Sequence, residues 1–406
     1  MSNVFQGIAS GLAELKNRYI GPMKDQFNEE LPIWRGAEKV KEGWNGYQVV
    51  RPLRVLRNQG IGATTDGGNL PAIGRQGTAQ ALISAKFNYL RFGVTGPMIK
   101  ASASDQGSFV RSATYELEMG YKDLKSDVNR QLSWDGGGQL ALVNANTAGS
   151  TSLVIKGRET TEPALKFVDI GLTFDIYSGS TQVASGITVT AISSGTPTSS
   201  TATLTLNAPV TCTAGDKIVR SGSFGNEIQG LLYALDGGTS TIYNIDRSQY
   251  MSYQGNVTDL SGTQLTLNAM QGAWNAGLNR GGAKYGQTGY CDFTSLQYYQ
   301  KLLTPDKRYV NTVKGDGGFS DMNQTYLEFN GCAMVADKDC PTRIFFLDKD
   351  AIKNYVLAEL EFADETGSMM IAQTGADQFE VRVRLFSNLF NEQPSACSVI
   401  KNYLSP

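Results

Sequence analysis

The chain has 406 residues, of which 18% are charged, and its formal net charge is −2. That charged fraction lies below the roughly 25% usual for soluble proteins, and the length suits two or three domains. The 45 glycines and the low charge are typical of a loop-rich β protein, or of a protein that other proteins surround. The near-neutral net charge excludes a polycationic nucleic-acid binder, because such a protein needs clustered lysines and arginines. It does not exclude a shell that merely encloses DNA.

The absence of histidine removes several classes of enzyme at once. With 0 histidines, the chain lacks Ser-His-Asp and Cys-His arrangements, HExxH zinc sites and histidine general bases. No GxxxxGK[ST] or GxGxxG loop occurs, and the run Asp135–Gly138 follows a predicted helix, so it indicates a helix end. The triplets Asp337–Asp339 and Asp348–Asp350 adjoin strand-like runs, where turns explain them better than a cation site. We therefore expect no catalytic site, no cofactor and no metal.

The cysteines and the chain's start bear on where the protein is made. The five cysteines form no CxxC pair and are widely spaced, which favours buried thiols in a reducing cytoplasm over a zinc site or a disulfide framework; they are Cys212, Cys291, Cys332, Cys340 and Cys397. Residues Met1–Lys16 lack the pattern of a signal peptide, and no stretch approaches the ~20 apolar residues of a membrane helix. We expect that the protein is made and kept in a cytoplasm.

The first residues predict a short amphipathic helix. Its apolar positions recur at helical spacing before Gly21-Pro22 ends it; they are Val4, Ile8, Leu12, Leu15 and Tyr19. Two interpretations stay open, a helix packed on its own core and an N-terminal arm packed on a neighbour.

The next segment predicts a long hairpin. Residues Trp44–Arg57 look extended, and Asn58–Gly77 is loaded with turn residues that suit a flexible tip. A half-buried strand follows, with one face made of Ala79, Ala81, Ile83, Ala85, Phe87 and Tyr89. Arms of about 17 residues span ~55 Å, whereas the radius of gyration of a compact chain this long is about 22 Å. The hairpin should therefore project beyond its own body and need a partner surface, because a lone hairpin is barely stable in water.

The strongest helix signal follows the hairpin. Apolar residues recur at steps of three and four, namely Val110, Ala113, Leu117, Tyr121, Leu124, Val128 and Leu132. Ser104 or Asp105 can cap the start, and Gly136–Gly138 stop the end. This predicts a helix over residues 105–133.

Residues 150–222 have a different composition and predict an inserted all-β module. No charged residue occurs between Ile176 and Gly215, and runs such as Ile187–Thr190 and Ala202–Leu206 alternate hydroxyl with apolar side chains. This pattern, separated by turn residues, predicts a small barrel or sandwich. A carbohydrate-binding module is the alternative, but only Phe174 and Tyr177 offer rings nearby.

From Asn226 onward the pattern is mixed α/β. Helices are predicted at Asp292–Leu303 and Ala351–Leu360, and strands at Phe329–Val335, Ile344–Leu347 and Gln378–Leu385.

This order of parts resembles the HK97-fold major capsid proteins of tailed double-stranded DNA phages. Local phrases also resemble that family across nearly the whole chain: Asp127–Gln131 before Gly136–Ala141, Gly222–Ser223 with Asn226–Ile228 and Gly230–Leu231, Val335–Pro341 before Ile344–Asp348, and Pro394–Ile400 with Asn402. The resemblance implies an α+β fold. Its parts would be an N-terminal arm (1–43), an extended E-loop hairpin (44–92), a peripheral domain (93–149 and 376–406) with the spine helix (105–133), the inserted β domain (150–222) and an axial domain (223–375).

Two departures from the family matter. Crosslinking members carry an E-loop lysine that bonds to a neighbour's asparagine, whereas Trp44–Ala85 contains no lysine. Arginine stays protonated and cannot act as that nucleophile, so we expect no covalent crosslink. Only about 43 residues precede the E-loop, which implies a separate scaffolding protein rather than a fused one.

The resemblance implies a structural subunit that forms hexamers and pentamers and closes an icosahedral shell around DNA in the virion. A portal protein and a decoration protein are further implied partners, with no membrane and no sequence-specific DNA binding. Closed rings need head-to-tail interfaces, and the E-loop arginines are the candidate contacts: Arg51, Arg54, Arg57 and Arg75. Their alternative role is edge protection of a strand. The alternative functions are an encapsulin-like protein compartment, since fold alone does not fix function, and a carbohydrate-active or adhesive enzyme.

Overall fold

The computed structural model describes residues 31–97, 112–159, 161–236, 238, 240–281, 287–303, 312–314, 325–363, 371–372 and 375–406. The predicted N-terminal helix and the caps proposed at Ser104 or Asp105 lie outside these ranges. No helix in this part of the chain is long and apolar enough to cross a membrane.

The predicted hairpin is present near the start of the described chain. A short helix α1 (Pro32–Gly36) and strands β1 (Glu38–Val40) and β2 (Trp44–Asn45) lead into β3 (Gln48–Leu56) and β4 (Gly77–Ser84). These two strands pair antiparallel from Gln48↔Ser84 to Leu56↔Gly77. The paired arms are shorter than predicted, because the first strand starts only at Gln48 and the second ends at Ser84.

The strand predicted across Ala79–Tyr89 divides at Ala85. Its second part, β5 (Lys86–Thr95), leaves the hairpin and pairs along its length with a strand from the far end of the chain. Ala81 and Ile83 are buried, whereas Phe87 and Tyr89 are 48% and 61% exposed. The prediction that all the apolar residues share one buried face is therefore wrong for the last two, because they belong to a different sheet.

The long helix is α2 (Ser112–Ser133). Its buried residues Leu124, Val128 and Leu132 belong to the core, as the apolar stripe predicts. The helix stops before a glycine run in which Gly136 and Gly138 have φ of 80° and 79°. These left-handed conformations favour glycine, which confirms the predicted helix end.

The inserted module is a closed six-stranded barrel. Its strands are β6 (Gln139–Val143), β7 (Thr147–Lys156), β8 (Thr173–Ser178), β9 (Thr181–Ser194), β10 (Thr201–Cys212) and β11 (Lys217–Arg220). They follow the order β10-β7-β6-β11-β8-β9 around the barrel. The barrel starts at Gln139, so the predicted start at residue 150 is too late. The charge-free composition begins only inside the barrel, and β6 has the apolar character of the body.

The remaining elements follow in chain order. They are α3 (Leu231–Asp236), β12 (Thr241–Ile242), β13 (Ile245–Asp246), β14 (Asn256–Asp259), α4 (Leu267–Asn279), β15 (Gln287–Cys291), α5 (Phe293–Leu303), β16 (Thr312–Lys314), β17 (Thr325–Phe329), β18 (Cys332–Ala336), β19 (Ile344–Asp348), β20 (Ile352–Phe362), β21 (Ile371–Ala372), β22 (Gln378–Asn391) and β23 (Ser398–Lys401).

These strands form two main sheets. The larger has the order β14-β23-β19-β15-β18-β17-β16, and the smaller has β1-β20-β22-β21 with β5 also paired to β22. Helix α2 packs on the smaller sheet, where Leu124 and Val128 share one apolar cluster with Val383, Leu385 and Leu389. All five cysteines are buried.

Two predicted elements in this half are wrong. The helix predicted at Ala351–Leu360 is the strand β20, which lies between β1 and β22; its buried Tyr355 and Val356 are residue types that suit a pleated sheet. The strand predicted at Phe329–Val335 is a hairpin instead. Asn330 and Gly331 have φ of 51° and 83°, as a two-residue turn between antiparallel strands requires.

Gly230 marks a close approach of two chain segments. A Cβ built there would lie 2.4 Å from the carbonyl oxygens of Gln131 and Leu132, at the end of α2. We expect Gly230→Ala to destabilise the unassembled subunit by about 1–3 kcal/mol, because the backbone must move to admit the methyl group. Gly272→Ala is the matched control, since its Cβ would meet nothing within 4 Å on α4, and it should be neutral or stabilising by up to ~1 kcal/mol. Urea unfolding monitored by circular dichroism measures both, and equal effects of the two substitutions would contradict this account.

Candidate assembly surface

The base of the hairpin is fixed to the body by buried contacts. Val49, Ala81 and Ile83 pack in one cluster with Tyr243 and Phe390. The backbone N–H of Leu82 donates to the Tyr243 carbonyl at 2.9 Å, and the Trp44 indole donates to the Val356 carbonyl at 3.1 Å. The hairpin therefore leaves the body at a defined place.

The tip of the hairpin, in contrast to its base, carries exposed apolar side chains. Ile61 and Leu70 are 85% and 83% exposed, and Ile73 is fully exposed. The hydrogen bonds of the tip are local, such as that from the Gly60 N–H to the Asn58 side chain at 2.8 Å. Burying one such aliphatic side chain is worth about 1.5–3 kcal/mol, so each of the three would gain stability by contact with another molecule.

A second apolar surface lies where β5 pairs with β22. The rings of Phe87 and Tyr89 contact that of Phe386 edge-to-face, with centroids 4.9 Å and 5.6 Å apart. We call these three residues the aromatic patch. It lies on the face of the smaller sheet opposite Val383 and Leu385, because side chains alternate along β22, and those two residues pack against α2. Phe87 and Tyr89 are largely exposed, so this part of the sheet has no cover within the described subunit.

The four predicted contact arginines are not equivalent. The Arg51 guanidinium donates to Glu392 of the same chain at 2.7 Å. This hydrogen bond raises the pKa of Arg51 above its ordinary value. Arg54, Arg57 and Arg75 are exposed, and none of them contacts a carboxylate among the described residues. Only these last three have charges available for a neighbouring subunit.

We expect Arg54→Ala, Arg57→Ala and Arg75→Ala, made together, to slow assembly and weaken its salt dependence, because exposed charges act mainly on association rates. The melting temperature of the isolated subunit should stay unchanged, since exposed groups of this kind contribute little to stability. Arg51→Ala is the matched control and should leave the assembly rate and its salt dependence unchanged, because the Arg51 charge is already paired with Glu392 of its own chain. Light scattering during assembly measures the rate, and wild-type rates in the triple variant at every salt concentration would refute the role.

The first lysine after the tip is Lys86, at the root of the hairpin. Its ammonium donates to the Gly225 carbonyl at 2.8 Å, and burial lowers its pKa. This contact ties the segment that leaves the barrel to the junction between β4 and β5. No lysine occurs in the hairpin from Trp44 to Ala85.

Inside the subunit, Arg130 of α2 is held by two carboxylates. Its Nε donates to Asp127 at 3.1 Å and its Nη2 to Glu227 at 2.6 Å. Arg130 and Glu227 are buried. Burial lowers the pKa of Arg130, but Asp127 and Glu227 raise it more, so the net shift is upward. The pair joins α2 to the segment that follows the barrel.

A second buried network centres on Asn129. Its amide nitrogen donates to Asp337 at 2.7 Å and to Asp339 at 2.9 Å, and the Tyr290 hydroxyl also donates to Asp337, at 2.6 Å. Burial, which is the larger cause, and the nearby charge of Asp339 together raise the pKa of Asp337 to about 6. This network joins α2 to the turn between β18 and β19.

Sequence reasoning placed the triplet Asp337–Asp339 correctly in a turn but missed that it is buried and held by Asn129. The available signal was the position of Asn129 itself, eight residues after Tyr121 and therefore close to the apolar stripe of the predicted helix. A polar residue near such a stripe needs a buried partner. Within the described residues, no group of three or more His, Cys, Asp or Glu side chains could hold a metal ion.

The arrangement of a projecting hairpin, a long helix packed on a small sheet, a larger sheet and a closing strand is the HK97-like fold of phage capsid proteins. The capsid asymmetric unit of cyanophage A-1(L) has a chain that superimposes with a TM-score of 0.60 at 14% identity, covering 98% of this chain and 99% of that chain. A chain from the capsid of a native GTA particle gives a TM-score of 0.50 at 8% identity, covering 97% and 99%. An encapsulin from Synechococcus elongatus PCC 7942 gives 0.46 at 9% identity, covering 98% and 96%. No protein-family model and no curated protein matches the sequence.

Proposed function

We propose that the chain is the major capsid protein of a tailed double-stranded DNA phage. In this role it forms hexamers and pentamers that close an icosahedral shell around packaged DNA. It acts as a structural subunit and not as an enzyme, and its place is the capsid of the virion.

The exposed apolar tip of the hairpin carries the proposal. Ile61, Leu70 and Ile73 are exposed to water at the end of an extended arm. Such exposure is unfavourable for a protein that stays monomeric and becomes favourable when another subunit covers these side chains. The aromatic patch gives the same subunit a second uncovered apolar surface. Two different surfaces of this kind on one chain support a head-to-tail contact, which is the type that closes into rings.

The proposal includes partners beyond the chain itself. By family resemblance these are a separate scaffolding protein, a portal protein and a decoration protein. The formal net charge of −2 favours a shell that encloses DNA without binding it tightly, because tight phosphate binding needs an excess of basic residues.

The direct test is expression of the chain with and without the neighbouring phage proteins, followed by negative-stain microscopy and a nucleic acid assay of the particles. We expect closed shells, correctly sized when the scaffolding protein is present, and DNA in particles from infected cells. Uniform shells that contain a cargo protein and no DNA would instead indicate an encapsulin-like compartment. A monomer that never assembles under any of these conditions would contradict both functions.

Shell contacts should be noncovalent, because the hairpin has no lysine to act as a nucleophile. Mature particles boiled in denaturant should therefore run on a gel as a single band at the 43.9 kDa subunit. A ladder of covalent multimers would refute this part of the proposal.

A further inference from the structure

The two chain segments of the hairpin tip stay in contact beyond the last paired residues of β3 and β4. Where the strands end, a Cβ built on Gly77 would lie 2.6 Å from the Cβ of Leu56. Further out, a Cβ built on Gly60 would lie 2.6 Å from the Gly74 nitrogen and 3.0 Å from the Ala72 carbonyl oxygen. There is no room for a side chain at these places, so backbone lies directly against backbone.

The side chain of Asn58 lies inside this contact. Its Oδ1 accepts from the Gly60 N–H at 2.8 Å, and a Cβ built on Gly74 would overlap both that oxygen and the Gly60 nitrogen. Asn58, Gly60 and Gly74 are each partly buried, whereas every residue from 61 to 73 is exposed. We call these three residues the tip junction.

The contact between the two segments continues toward the end of the tip. A Cβ built on Gly62 would lie 3.0 Å from Cγ of Pro71 on the opposite segment. In the turn that closes the tip, the Gly68 N–H donates to the Thr65 carbonyl at 2.9 Å. The tip is therefore a narrow ribbon of two touching segments, although its composition alone suits a flexible loop.

The exposed apolar residues of the tip are each adjacent in sequence to one of these contacts. Ile61 and Ile73 each adjoin a glycine of the tip junction. Leu70 adjoins Pro71, which lies against the opposite segment. The ribbon therefore sets the positions of the three apolar residues relative to one another while their side chains are still exposed to water.

We propose that the tip junction fixes the hairpin tip in its docking shape before assembly, so that Asn58, Gly60 and Gly74 are positioning residues for the contact with a second copy of this chain. This role rests on the proposed shell function. A preformed tip loses less conformational freedom when it binds, which favours association. Neither Gly60 nor Gly74 has a left-handed backbone conformation, so only the close contact excludes alanine there.

The shape of the tip is tested first in the full-length, unassembled subunit. Trypsin cuts after arginine, and Arg57 and Arg75 flank the tip. We expect Gly74→Ala to release the 58–75 peptide about tenfold or more faster than the wild type, because cleavage follows the population of the open form. In a flexible loop the same substitution would have no such effect. Ala63→Ser is the matched control, which adds one heavy atom at an exposed position of the tip, and it should keep the wild-type rate. Unchanged release from Gly74→Ala would overturn the proposal.

Assembly is then measured on the same variants by light scattering. We expect Gly74→Ala and Asn58→Ala to slow assembly about tenfold, because association slows when binding requires a conformational change. Asn58→Asp keeps the oxygen that accepts from Gly60 and should restore both the wild-type assembly rate and the slow peptide release.

The outcomes separate this role from the shell function. Wild-type assembly rates in variants whose tip peptide is released faster would overturn the positioning role alone. Absence of shells from the wild type, with the scaffolding protein present, would contradict the proposed function and this role with it. Equal behaviour of Asn58→Ala and Asn58→Asp in both measurements would also overturn the role of the tip junction.

Discussion

Replacing Ile61, Leu70 and Ile73 together by serine is expected to abolish shell assembly and leave the subunit folded. These side chains contribute almost nothing to the isolated subunit, because they are exposed at the hairpin tip. In an assembled shell, burial of each would supply about 1.5–3 kcal/mol. Loss of all three therefore weakens each hairpin contact by at least about 4 kcal/mol, or roughly a thousandfold in its equilibrium constant.

The matched control for the tip is Thr64→Ser with Thr65→Ser, which changes exposed polar residues of the same loop. Sedimentation and microscopy score assembly, and thermal melting scores folding. We expect the control to assemble like the wild type. The interpretation fails if the triple serine variant forms shells with normal yield, or if its subunit melts several degrees lower.

Arg130→Met is expected to have the largest effect on subunit stability. It leaves Glu227 buried without the guanidinium that binds it at 2.6 Å. Breaking a buried ion pair from one side costs about 3–5 kcal/mol, because the remaining charge has no partner. Chemical unfolding of the unassembled chain measures the loss, and a change below about 1 kcal/mol would contradict the structural role of this pair.

The pH dependence of Arg130→Met follows from Glu227. Burial already raises the pKa of Glu227 above its ordinary value, and removal of Arg130 should raise it further. A carboxyl with a raised folded-state pKa stabilises the fold at low pH and loses that contribution as pH rises through the folded pKa. The deficit of Arg130→Met should therefore be smaller at pH 5 than at pH 8. Adding Glu227→Gln should reduce this pH dependence and recover part of the stability, and Asp127, which also loses the Arg130 guanidinium, should account for what remains.

Local patterns in the sequence were sufficient to predict the elements whose conformation depends on residues close to them in the chain. The hairpin followed from an extended run before a glycine-rich tip and an alternating run after it. The end of α2 followed from a run of glycines, of which Gly136 and Gly138 adopt left-handed conformations. The barrel followed from its hydroxyl-rich alternation. These features are set by short-range geometry, which a sequence pattern records directly.

The parts that depend on distant residues were not predictable in the same way. Ala351–Leu360 reads as a helix by its apolar spacing, yet it is a strand because β1 and β22 lie on either side of it. Tertiary pairing overrides propensity at such positions. The division of the strand at Ala85 has the same cause, since β5 pairs with a segment almost 300 residues later in the chain.

The sequence predicted that the hairpin would contact a neighbouring subunit, but it did not predict which of its residues are available for that contact. The arginines stand out in the sequence as the charges of the hairpin, but nothing in it distinguishes Arg51, which binds Glu392 of its own chain, from Arg54, Arg57 and Arg75. The exposed tip residues were overlooked because isolated apolar residues in a glycine-rich loop carry no periodic signal. Their importance lies in their exposure, which only coordinates provide.

The most direct test of the central claim is a cryo-electron microscopy map of the assembled particles. We predict closed icosahedral shells in which Ile61, Leu70 and Ile73 of every hairpin lie within about 4 Å of apolar atoms of an adjacent subunit, the ordinary distance of apolar contact. A shell in which the tip remains in solvent, or folds back on its own subunit, would contradict the account.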